Sequence, residues 1–163
     1  MSYELHFKLE KEPQKPFNDN CEESKSDIIK YLIFHALQEY TIDKLHLFIR
    51  DFKSRINLLK FIAKNQFDSY IYSEYSNDKD VWFCGWEYSH KNYESEAEKM
   101  LSIASDKENE LYMLILSYKP DSDVELVFEL RRIIEEYLEY MYDYYSYKFC
   151  EEHKNEIIKE EEE

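Results

Sequence analysis

The chain has 163 residues, 44% of them hydrophobic and 17% aromatic, with a formal net charge of −15. That length and aromatic content point to one folded domain rather than a disordered chain. The charge argues against direct binding to nucleic acid phosphates or to an anionic membrane, and favours a basic protein partner.

The chain opens on YELHFKLE, which alternates Tyr3, Leu5, Phe7 and Leu9 with Glu4, His6 and Lys8. Period two predicts a strand with one wet face. The next stretch, EKEPQKPFNDNCEE, carries Pro13 and Pro16 and reads as a loop. After Ser24, the residues Ile28, Ile29, Leu32, Ile33, Ala36, Leu37 and Tyr40 recur at helical spacing. Thr41 is placed to cap a second helix carrying Leu45, Phe48, Ile49 and Phe52, and Ser54 a third carrying Leu58, Leu59 and Ile62.

From Asp68 the pattern shifts towards strands. SYIYSEYS and VWFCGWEY flank NDKD, which predicts a hairpin, with Gly85 marking a bulge in the second strand. YESEAEKMLSIAS sets Ala97, Met100, Leu101 and Ala104 on one helical face. LYMLILSY is apolar on both faces and predicts a buried central strand. Ser122 and Glu125 form a capping box that opens what reads as the longest helix. The expected fold is α+β, in the order β-ααα-ββ-α-β-α, with a sheet of about four strands, antiparallel or mixed, covered by helices. Residues 1–163 form one acidic domain in this reading, with 154–163 a frayed acidic tail.

Charge is unevenly spread. Residues 24–66 hold 4 acids and 8 bases, a local +4, whereas residues 121–163 hold 15 acids and 5 bases, a local −10. The final helix contains EEYLEYMYDYYSYKF, Glu135 to Phe149. At 100° per residue, Leu126, Leu130, Ile133, Ile134, Tyr140, Met141, Tyr144, Tyr145 and Tyr147 all fall within roughly 80° of Tyr137. Those tyrosines extend the apolar stripe. Glu135, Glu139, Asp143 and Ser146 lie opposite, and Tyr142 falls among them. A tyrosine ringed by carboxylates suits an interface, because it offers rigid area and a hydroxyl at low entropic cost. Glu135, Glu139, Tyr142, Asp143 and Ser146 are therefore the expected partner-binding face. The acids Glu94, Glu96 and Glu98 are the next candidate.

Catalytic and metal signatures are sparse. A single glycine, Gly85, excludes the glycine-rich phosphate loops. His35 and Glu39 have i, i+4 spacing but lack the second histidine of a zinc helix, and Cys150 with His153 has no partner pair. Cys84 near His90 lacks the electropositive setting that a thiolate nucleophile needs. No cofactor and no metal are expected. The opening MSYELHFKLEKE has no apolar leader core, and with three cysteines, Cys21, Cys84 and Cys150, the chain reads as cytoplasmic with reduced thiols.

Two functions fit these features. The first is a non-enzymatic acidic inhibitor or antidote that blocks a basic nucleic-acid-processing protein such as a nuclease, in the manner of anti-restriction, anti-CRISPR or toxin-immunity proteins. The alternative is a small hydrolase or transferase whose histidine–carboxylate site assembles in space. A homodimer is compatible with the tyrosine stripe.

Overall fold

A computed structural model describes residues 3–17, 21–36, 42–84, 92–117 and 123–162. It is mostly helical, with a small antiparallel sheet. The elements are β1 (Tyr3–Phe7), α1 (Cys21–Ala36), α2 (Ile42–Asp78), β2 (Val81–Cys84), α3 (Tyr93–Leu116), α4 (Asp123–Glu152), a 3-10 turn (Lys154–Glu156) and β3 (Ile157–Glu162).

The expected second and third helices and the strand SYIYSEYS are all parts of α2, which runs for 37 residues and is longer than the 30-residue α4. No glycine or proline lies between Ile42 and Asp78 to interrupt it. Once nucleated, a helix adds residues readily, and the strand preference of tyrosine and isoleucine yields to packing. Phe67 and Ile71 are buried a helical turn apart, with Tyr70 and Tyr75 packed beside them. NDKD is correspondingly no hairpin loop. Lys79 takes the left-handed conformation, φ 62°, and its N–H donates to the Tyr75 carbonyl at 2.7 Å, closing α2 as a helix cap.

LYMLILSY likewise falls on a helix, with Leu111 to Leu116 forming the last turns of α3. Asn92 caps the start of α3 by accepting from the Ser95 N–H at 3.0 Å. Leu111 and Ile115 are buried, but Met113 and Leu116 on the same segment are exposed. The expected caps Thr41 and Ser122, and the bulge at Gly85, lie outside the described residues.

The sheet has three strands rather than four, in the order β2-β1-β3, all antiparallel. Leu5 pairs with Phe83 and Phe7 with Val81, and these four side chains turn inward. On the other face His6 pairs with Trp82, their rings stacked at 4.0 Å. The acidic tail expected to fray instead pairs with β1 along Ile157–Glu162, joined by the Lys8 N–H donating to the Glu156 carbonyl. An acid-rich sequence on an edge strand resists pairing with a like copy.

Two cores result. The larger lies among the four helices and is built mainly of aliphatic side chains, including Ile28, Leu32, Leu59, Leu111, Leu130 and Ile133. The smaller lies where α2 and α4 meet the sheet and is built largely of rings: Phe7, Phe67, Phe83, Tyr147 and Phe149. Helix α4 crosses both.

Candidate functional site

The expected docking face on α4 does not assemble as one surface. Tyr137 is 1% exposed and its hydroxyl donates to Glu108 Oε1 at 2.7 Å, as a stripe-centre residue should. Tyr142 is not outward. It is half-buried, edge-on to Phe67 at 5.6 Å, and burial followed by the nearby Asp143 raises its hydroxyl pKa. Ser146 is fully buried, and its hydroxyl donates to the Tyr142 carbonyl at 3.0 Å. Asp143 is half-buried, which leaves Glu135 and Glu139 exposed. Glu135 is paired with Lys25 of α1 at 3.3 Å. The single-wet-face arithmetic fails here because this half of α4 is enclosed by α2, α3 and the second core.

A different surface stands out at the far end of α4. Helices α3 and α4 run antiparallel: Arg132 reaches Glu110 at 3.3 Å, and Lys107 lies 2.7 Å from Glu136. This brings the end of α3 beside the start of α4. Four large apolar side chains are exposed on these turns: Met113 (61%), Leu116 (44%), Val124 (70%) and Phe128 (68%). Met113 and Leu116 are one turn apart, as are Val124 and Phe128. Exposed Glu110, Glu125 and Glu129 lie within a turn of them along the two helices. Single exposed apolar residues are ordinary on soluble proteins, whereas four on adjoining turns are not.

Behind this end sits an ion network. Arg132 touches Glu129, Glu136 and Glu110, which raise its pKa, Glu129 most. The Lys107 ammonium, with Arg132 beyond it, holds the Glu136 carboxyl below its ordinary value. These charges pair with one another within α4 and across to α3.

The wheel could have found this surface. Val124 and Phe128 lie roughly 140° and 180° from Tyr137, at least as far off the stripe as Tyr142. Met113 and Leu116 were hidden by reading their segment as a two-sided strand.

A cleft of about 540 Å³ lies between α2, the second half of α4 and the 8–17 segment. Pro13, Lys64, Phe67, Tyr145, Lys148 and His153 are among its lining residues. His153 Nδ1 is 2.6 Å from Glu156 Oε2, and its ring lies 4.3 Å from that of Phe149.

Among the described residues, no group of three or more His, Cys, Asp or Glu side chains is arranged to hold a metal ion. Cys150 is fully buried and desolvation pushes its thiol up to about 12, so it is a core residue rather than a nucleophile or ligand. Glu39, His90 and the side chain of Cys84 lie outside the described residues. Among the described residues, no helix is long and apolar enough to cross a membrane. No family model, curated protein or solved structure matches the chain.

Proposed function

We propose that the protein is a non-enzymatic, acidic binding protein whose docking end is the tip of the α3–α4 hairpin. The observation that carries this reading is the exposed group Met113, Leu116, Val124 and Phe128 beside the exposed Glu125. Apolar anchors supply most of the energy of an interface, and carboxylates around them set partner sign and encounter rate. With a net charge of −15, the fitting partner is a basic protein with an apolar groove, and a nuclease or another nucleic-acid-processing effector has that chemistry. Binding would block it.

The test is affinity capture from the source cell with wild-type protein and with Val124→Ser/Phe128→Ser. The reading expects a basic effector that wild type retains and inhibits, and that the double variant loses while still folding. An identical set of captured proteins from both would refute it.

The His153–Glu156 pair on the cleft favours a second reading, a small hydrolase or transferase using His153 as a general base. Ester or phosphoester turnover by purified protein that His153→Asn abolishes would favour this reading over the first.

A further inference from the structure

The exposed charge of α2 is opposite in sign to that of the chain. Between Lys44 and Lys64 its exposed residues include Lys44, Arg50, Lys53 and Lys64 and no carboxylate. Asp51 in this span is half-buried and lies 3.7 Å from Arg50. On a helical wheel Arg50, Lys53, Asn57, Phe61 and Lys64 fall within roughly 60° of Arg50, so they form one outward stripe. It spans about 21 Å at 1.5 Å per residue.

Two aromatic rings sit in this stripe. Phe61 is 37% exposed, and Phe17, carried over it by the proline-bearing segment, is 69% exposed with the ring centroids 5.7 Å apart. Cations lie on both sides, Lys53 before the rings and Lys64 after them. Lys64 is held by Asp68 at 2.6 Å and lies over the Tyr145 ring at 5.6 Å. The stripe therefore runs into the cleft lined by Tyr145 and Lys148.

We infer that the outer face of α2 is a binding track for single-stranded nucleic acid. Phosphates would lie on Arg50, Lys53 and Lys64, and a base would stack on the open face of Phe17. Cations on both sides of an exposed ring pair suit a strand whose every unit has one phosphate and one π face. An acidic peptide would satisfy the cations and leave the rings unused. The whole-chain charge argued against phosphate binding, but screening confines repulsion to about 8 Å at physiological salt, so the local stripe decides contact. This track is separate from the α3–α4 tip, and neither proposal depends on the other.

The test is fluorescence anisotropy with a labelled thymidine oligonucleotide of about 12 nucleotides at about 150 mM salt, with a salt titration around that point. Wild type should bind in the micromolar range or somewhat weaker, with a log–log salt slope of about −2 for the three cations engaged. Arg50→Glu/Lys53→Glu should weaken binding about 10-fold or more, since it removes and reverses phosphate contacts. Phe17→Ala should weaken it about 5-fold or more through lost stacking. Lys99→Glu, on the exposed face of α3, should change nothing. Thermal melts should show all variants folded, because every substituted side chain is exposed. No binding, or binding that the α2 and Phe17 variants leave intact, would overturn the inference. So would displacement by polyglutamate as effective as by unlabelled oligonucleotide, which would make the face a site for acidic peptides.

Discussion

The two halves of α4 obey different rules, although the sequence pattern runs through both without a break. In the first half Leu126, Leu130, Ile133 and Ile134 are buried on one side, and Val124 and Phe128 stand exposed on the other. This is an ordinary amphipathic helix with two apolar residues on its wet face. In the second half Tyr137, Met141, Ser146, Tyr147, Phe149 and Cys150 are buried in nearly every direction. There Tyr137 and Met141 end the aliphatic core, Tyr147, Phe149 and Cys150 enter the ring-built one, and even the serine is dry. Enclosure, rather than residue type, decides which side chains are available to a partner. Tyrosines look like interface residues and here build the interior, while a valine and a phenylalanine that look like core remain outside.

The largest expected effect is at the junction of the two halves. Tyr137→Ala should cost about 3–5 kcal/mol in urea denaturation, because it empties a fully buried ring site. Tyr137→Phe should cost about 1–2 kcal/mol, the share of the hydroxyl donated to Glu108. Equal losses in the two variants would show that the bond rather than the ring dominates.

A smaller effect is expected from the ion network behind the apolar end. Glu136 is held below its ordinary value of 4.5, first by Lys107 and then by Arg132. A carboxylate with a depressed folded-state value stabilises fully above pH 4.5 and loses that contribution as pH falls through the folded value. Glu136→Gln should therefore flatten the acid side of the stability profile below pH 4.5 relative to wild type. Parallel profiles would mean that the network contributes no pH-dependent stability.

Much of the fold was legible. Period two located β1, and helical spacing located α1 and the buried stripe of α4, because β1 and α1 each have one wet face and the inward stripe of α4 is apolar along its length. The merger of two predicted helices and a strand into α2 was not legible from alternation, since tyrosine, isoleucine and serine at 69–76 serve either state. The absence of glycine and proline was the usable signal. β3 was missed because IIKEEE looks too charged to pair, and only the central β1 edge makes it a strand. Tyr142 and Ser146 differ from the wheel for a related reason. A wheel reports direction but not how many neighbours surround the helix, so Tyr142 and Ser146 were set in solvent that α2 and the sheet exclude.

The smallest expected effect, at Phe128, gives the decisive comparison. Urea denaturation of Tyr142→Ala and Phe128→Ala, two aromatic truncations on one helix, should give unequal costs. The expected loss is about 1–3 kcal/mol for Tyr142→Ala, whose ring packs on Phe67, and the expected change for Phe128→Ala is within about 0.5 kcal/mol. A larger loss at Phe128 than at Tyr142 would place Phe128 in the core, remove the apolar end as a docking surface and return the outward face to Tyr142.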